Sequence, residues 1–159
     1  MRLRGIPHWC QAHFGGGQIF LKKLNALPEI RNEGVTCRLP TEDEWAHACR
    51  AGTAGDYCRP AGGTEITEKT LGEVAWYHAN SGGATHPVGQ KKPNAFGLYD
   101  MLGNVWEWTS TAICDFRVLR GGVYWYDARN CRSASHYWLR PDDRGRNFGL
   151  RLLALQDAP

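Results

Sequence analysis

The chain has 159 residues, 42% of them hydrophobic and 22% charged, with a formal net charge of +3. That length suits one domain, 1–159, with its own core, and the small, evenly spread charge excludes nucleic acid as a partner. No apolar run approaches the roughly 18 residues that span a bilayer, which excludes membrane insertion, and the opening residues lack an export signal. The expected location is therefore the cytoplasm, or a surface or virion reached through a partner.

Seven Trp and nineteen Gly exceed what a domain of this size usually carries, which predicts rings packed on irregular, tightly turned backbone. Six cysteines, Cys10, Cys37, Cys49, Cys58, Cys114 and Cys131, form no CxxC pair and no repeating interval. Buried free thiols are expected, with a metal at His8, Cys10 and His13 as the alternative. Ile19, Phe20, Leu24 and Leu27 recur at helical spacing opposite Lys22, Lys23 and Asn25, predicting an amphipathic helix over 18–27 that Pro28 ends. Thr41 followed by Glu44 reads as a capping box opening a second helix over 42–50. From Gly52 to Gly97 the chain is dense in Gly, Pro, Thr and Asn without sustained periodicity, so an ordered loop is expected, anchored by Trp76, Tyr77 and Phe96. Strands are expected over 105–109, 117–120 and 148–155. Two helices, a long loop and a few terminal strands make an α+β domain with little regular secondary structure.

Four segments, RLPTEDEWAHACRAG from Arg38, PNAFGLYDMLGNVWEW from Pro93, RVLRGG from Arg117 and FGLRL from Phe148, together closely resemble the formylglycine-generating-enzyme-like, or sulfatase-modifying-factor, family from Phe20 to Leu153. The resemblance implies a variant of the C-type lectin fold. It also implies early strands from a longer N-terminal portion; here either Met1 to Phe14 takes their place or a partner covers the sheet edge. Family enzymes oxidise a substrate cysteine to formylglycine with a pair of copper-binding cysteines after the Gly-Gly, copper(I) preferring soft thiolates. The corresponding stretch, Val123 to Asp127, contains no cysteine, and Cys131 matches a later, noncatalytic position. The expectation is thus a non-enzyme without copper, with the formylglycine-generating oxidase as the alternative and a structural module of a larger complex as a third reading.

The same resemblance implies calcium as a structural cofactor, held by the side chains of Asp100 and Glu107 and the carbonyls of Gly103 and Val105. A hard cation takes about six to eight oxygens, and a glycine turn between two carboxylates offers several. The alternative is that Glu107 is a buried hydrogen-bonding group and Asp100 caps a turn. Asn80 matches a second calcium site of relatives, without visible partners.

Toward the C-terminus, Arg120-Gly-Gly122, Ala128 to Ala134, Pro141-Asp142, Arg144 and Gly149-Leu-Arg151 resemble the fixed scaffold of variable proteins made by diversity-generating retroelements. In those proteins adenine-directed mutagenesis rewrites surface positions. The resemblance makes 117–153 a variable, ligand-binding region with Trp125, Tyr126, Asp127, Ser135, His136, Tyr137, Trp138, Leu139, Asp143, Gly145 and Phe148 as its ligand-binding residues. Trp125 and Trp138 cannot arise from an AAC codon and would be template residues or come from another codon. Tyr and Trp bring contact area at small entropic cost while Ser, Asp and His adapt, a mixture suited to a protein or cell-surface ligand. The alternative for Tyr124, Trp125 and Trp138 is internal packing under the loops.

Overall fold

The computed structural model describes residues 2–5 and 12–156. The first helix, α1 (Phe14–Asn25), starts four residues ahead of its periodic stretch because His13 caps it: Nδ1 accepts from the Gly16 amide at 3.1 Å. Glycines are poor helix formers, but a Cβ at Gly17 would lie 2.9 Å from Leu150, so the small residue lets the helix seat on the sheet. Pro28 does more than end this helix. Ala26 is its C-cap, and Pro28 opens a short second helix, α2 (Pro28–Asn32), where a missing amide costs nothing. His13 is thus a cap; His8 and Cys10 lie outside the described residues.

α3 (Glu42–Arg50) has the boundaries that the capping box predicts. Thr41 Oγ1 accepts from the Glu44 amide at 3.2 Å, and Glu44 Oε2 accepts from the Thr41 amide at 2.8 Å. Arg38 donates to both Glu44 oxygens at 2.7 Å, and this pairing with the guanidinium, aided by the cap, holds the Glu44 carboxyl down to about 2.

The segment after α3 is irregular, with one 3-10 turn at Leu71–Glu73 and a two-residue strand, β3 (Ala75–Trp76), parallel to β4 (Leu102–Gly103). A Cβ at Gly103, whose φ is 74°, would collide with the Trp76 carbonyl, so that pairing requires glycine. Trp76 does anchor the loop: it stacks on His86 at 3.7 Å with Lys91 Nζ 3.7 Å from its ring, and Tyr77 packs against the core. Phe96 does not, being 53% exposed. Its neighbour Asn94 is the buried tie, donating to the carbonyls of Ala48 and Cys49 and accepting from the amides of Phe96 and Leu98.

The principal sheet is organised around β8 (Phe148–Gln156). β5 (Trp106–Ile113) runs parallel to its first residues, while β1 (Arg2–Gly5) and β2 (Val35–Arg38) lie antiparallel to its last ones. Because β1 and β2 both pair with Leu153 and Ala154, they must flank β8 on opposite edges. β6 (Phe116–Arg120) joins β5 to the edge strand β7 (His136–Leu139). The three expected strands are present, each somewhat longer; β2 and β7 were not expected, and in β1 residues 2–5 supply a strand along β8, the first of the two alternatives for the early strands.

Strand alternation sends Trp106, Trp108, Leu119, Phe148 and Leu152 to the face that packs on α1. It sends Glu107, Arg120 and Arg151 to the face that meets Trp45 of α3, where a second cluster including Cys49, Leu71 and Met101 fills the space under the loops. Four of the five described cysteines are buried and free; Cys114 is exposed.

Candidate ligand-binding site

The stretch after Gly122 alternates between buried ties and exposed side chains. Ala128, Cys131 and Ser133 are buried, while Arg129, Asn130 and Arg132 face out. Arg120, itself 4% exposed, fixes the end of this loop: Nη2 donates to the Ser133 carbonyl at 2.7 Å and Nη1 to that of Ala134 at 2.9 Å. Glu42 balances the guanidinium at 3.4 Å, and Trp45 lies beneath it at 5.4 Å. Ser133 closes the tie through its amide and hydroxyl, both donated to the Asp56 carbonyl at 2.7 and 3.0 Å. A Cβ at Gly122 would come within 2.9 Å of Cys131 Sγ, so the Gly-Gly turn and the buried thiol pack as one unit. The backbone is therefore held from behind by residues that do not reach the surface.

In front of this frame is a cavity of about 590 Å³. Its floor is Trp106, with Tyr137 stacked at 5.8 Å and 24° and Tyr126 edge-on at 6.3 Å. Arg129, Arg132 and Ser135 form the rim, with Asn130, Ala134 and His136 completing it. Cross-strand pairing of Tyr137 with Leu119 places its ring on the α1 face of β7. His136 and Trp138 point to the other face, with ring centroids 4.8 Å apart.

Of the residues expected to bind ligand, Tyr126, Ser135 and Tyr137 meet at the cavity, and His136 borders it while its ring turns to the opposite face of β7. Trp125 stands beside it, 41% exposed, edge-on to Tyr124 and Tyr126, and Asp127 is exposed next to it. Trp138 is 46% exposed but belongs to the opposite face of β7, so these side chains make two patches, not one. Leu139 is half-buried against the α1-side core. Asp143 is half-buried and accepts from the Arg140 amide at 2.9 Å.

Two of these residues are corrections. Phe148 is 7% exposed and packs on Trp108 at 5.8 Å, so it is core. At Gly145 a Cβ would lie 2.8 Å from the Phe148 ring and 2.5 Å from Asn147 Oδ1, so the position serves close packing. Sequence reasoning missed Trp106, Arg129 and Arg132. Trp106 carried a signal, two residues before Trp108 and on the same strand face; the arginines were hidden inside a stretch read as uniform scaffold.

The two carboxylates assigned to calcium are otherwise engaged. Both Glu107 oxygens are bound to Arg151, Oε2 to Nε at 2.7 Å and Oε1 to Nη2 at 2.8 Å, and Oε2 also accepts from Trp45 Nε1 at 2.7 Å. Asp100 Oδ2 accepts from the Gly89 amide at 2.7 Å. The Gly103 amide donates to Gly121 at 2.7 Å, and Val105 is buried beside them. The Asp100 carboxylate favours the charged forms of Lys91 and Arg151, so cations already stand beside both carboxylates. Calcium would have to displace the Arg151 guanidinium from Glu107, so the carboxylate pair as arranged does not fit it. Asn80, assigned by likeness to a second site, instead holds a turn through the Tyr77 amide and the Ala75 carbonyl.

Burial pushes the Cys131 thiol up to about 12. It is a buried packing group, protonated at neutral pH and therefore not a thiolate nucleophile. Among the described residues no helix is long and apolar enough to cross a membrane.

Comparison with known proteins agrees with this architecture. The chain is 33% identical over 144 residues to the formylglycine-generating enzyme of Streptomyces coelicolor, covering 72% of this chain and 45% of that protein. It is 34% identical over 143 residues to the inactive C-alpha-formylglycine-generating enzyme 2 of Mus musculus, covering 77% and 44%. It spans less than half the length of these relatives. Among solved structures, Treponema denticola variable protein 1 superposes with a TM-score of 0.66 at 36% identity, covering 76% of this chain and 48% of that one. A family model described as the sulfatase-modifying factor enzyme 1-like domain matches residues 11–155, and the chain belongs to that family.

Proposed function

We propose that this chain is a non-enzymatic recognition domain whose ligand, a protein or cell-surface group, sits on the Tyr126–Tyr137 cavity, and whose exposed side chains there are diversified by a retroelement. The observation that carries this reading is the separation of roles after Gly122. Buried Arg120, Cys131 and Ser133 fix the backbone, and Trp125, Asp127, Arg129, Arg132, Tyr137 and Trp138, between and beyond them, are exposed. A surface built so can change its residues while the fold stays put, and its aromatic floor with polar rim has the composition of a recognition hot spot. The likeness to a variable protein supports the same reading.

Diversification is tested by sequencing natural copies of the gene and the region beside it. A reverse transcriptase gene and a near-identical repeat differing at adenines are expected, with changes at Tyr126, Asp127, Ser135, His136, Tyr137 and Asp143 and none at Gly145 or Phe148. Copies with identical tails and no such repeat would remove diversification from the account.

The alternative, a formylglycine-generating oxidase, takes support from the names of relatives. It needs a reactive pair of thiolates, and the thiol in this part of the chain is sealed behind Gly122. Copper-loaded protein incubated with a cysteine peptide is expected to yield no formylglycine; turnover would establish the oxidase.

A further inference from the structure

The net charge of the whole chain hides an asymmetry. From Arg117 to Leu153 the chain carries eight arginines against three aspartates, with no lysine or glutamate, so the charge is not evenly spread as composition suggested. Two of the arginines, Arg129 and Arg132, line the cavity, and no carboxylate does. Arg132 Nε donates to the Arg129 carbonyl at 2.9 Å, which ties the two residues together and orients the Arg132 fork. Among the described residues neither guanidinium has a carboxylate partner, whereas the buried Arg120 and Arg151 both do. Guanidinium forks match carboxylates in geometry, and a cation pair above a Trp–Tyr floor favours an anionic group joined to a flat, apolar one.

We propose that this cavity takes an acidic segment of a protein partner, with an aromatic side chain laid against Tyr126 and Tyr137, which cover the buried Trp106, and neighbouring carboxylates paired with Arg129 and Arg132. The inference rests on the reading of this face as a binding surface and specifies what binds. Two lining cations are too few for a duplex, and the stacked floor would be idle against a plain polyanion.

The test measures binding of the full chain to four polymers at about 150 mM salt, where exposed charges are screened beyond about 8 Å. The probes are a random glutamate–tyrosine copolymer, a lysine–tyrosine copolymer, polyglutamate and heparin. The glutamate–tyrosine copolymer is expected to bind at least about tenfold tighter than the other three. The double variant Arg129→Glu, Arg132→Glu should lose that margin, whereas Arg144→Glu, Arg146→Glu, off the cavity, should change binding by less than about threefold. Polyglutamate or heparin binding equally well would replace the proposal with a general polyanion patch. Failure of the glutamate–tyrosine copolymer to bind, or indifference to the Arg129 and Arg132 reversal, overturns it. Preference for the lysine–tyrosine copolymer, lost in Tyr126→Ala, Tyr137→Ala, overturns the acidic partner but keeps the surface. If no binding responds to the tyrosine substitutions, the surface reading falls with it.

Discussion

Arg151 of β8 clasps Glu107 of β5 with two parallel hydrogen bonds, 2.7 Å from Nε to Oε2 and 2.8 Å from Nη2 to Oε1. Both side chains are almost sealed from solvent. Trp45 donates to the same carboxylate, and the Tyr99 carbonyl accepts from Arg151 Nη2 at 2.9 Å, so one buried pair joins α3, the long loop and two strands. Breaking it from one side strands a charge. Glu107→Gln is expected to cost about 3–5 kcal/mol, lowering the melting temperature by roughly 10 °C in a domain this long. Replacing both partners with apolar residues, Glu107→Leu with Arg151→Met, should recover part of that loss; a double variant worse than the single would mean the pair does more than satisfy itself.

The same pair decides what a chelator should do. With Arg151 supplying the positive charge that calcium would bring, melting curves in excess EDTA and in millimolar calcium are expected to coincide within about 1 °C. Ligand binding to the folded state alone raises stability by mass action, about 2.7 kcal/mol at a hundredfold excess over Kd. A calcium-dependent rise of several degrees would therefore mean that Glu107 exchanges the guanidinium for the ion.

Acid should reach a different part of the molecule. Glu44 keeps its charge down to about 2, chiefly because Arg38 binds it and secondarily through the Thr41 cap, against an unfolded value near 4.3. Its folded value is depressed, so its contribution is fully present above about pH 4.3 and fades as pH falls toward 2. Glu44→Gln is expected to destabilise by about 1 kcal/mol at neutral pH, since the pair is partly exposed. The gap from the parent protein should close between about pH 4.3 and 2 in urea melts. A gap that stays constant across that window would assign the effect to packing.

The extent to which these features were legible in the sequence follows from the range of the interactions. The α3 cap is written in four consecutive residues, and it appears where Thr41 and Glu44 place it. The start of α1 was missed because His13 is an unusual cap and three glycines argue against helix; contact with Leu150, far along the chain, overrides propensity there. The exposed tail was legible from its mixture of rings and charges. Its division into two faces was not, because that depends on β7 pairing with β6 in one register and not the next. Glu107 as a buried hydrogen-bonding group was visible as an alternative to a metal ligand, but its partner Arg151 lies 44 residues away.

Thiol chemistry offers a direct probe of the frame. Cys114 is exposed, whereas Cys131 is buried with its thiol held up to about 12. Iodoacetamide at pH 8 should label Cys114 within minutes and Cys131 only as fast as the domain opens, so that mild urea accelerates the second and not the first. Rapid native labelling of Cys131 would mean that the loop from Ala128 to Ser133 moves independently of the core, and the fixed-backbone argument would fail.

Gly145 and Trp138 make the sharpest contrast within the tail. Both look replaceable in sequence, yet a Cβ at Gly145 would press on the Phe148 ring at 2.8 Å, and Phe148 is packed edge-on to the fully buried Trp108. Overpacking of this kind costs about 1–3 kcal/mol, so Gly145→Ala is expected to lower the melting temperature by several degrees. Trp138 stands on β7 with its ring against His136 and nearly half its surface in water. Its removal should change stability by about 0.5 kcal/mol or less, the usual range for surface positions. If Trp138→Ala were instead the costlier change, the outward aromatic residues would be supporting the sheet, and a tail free to vary could not be built on them.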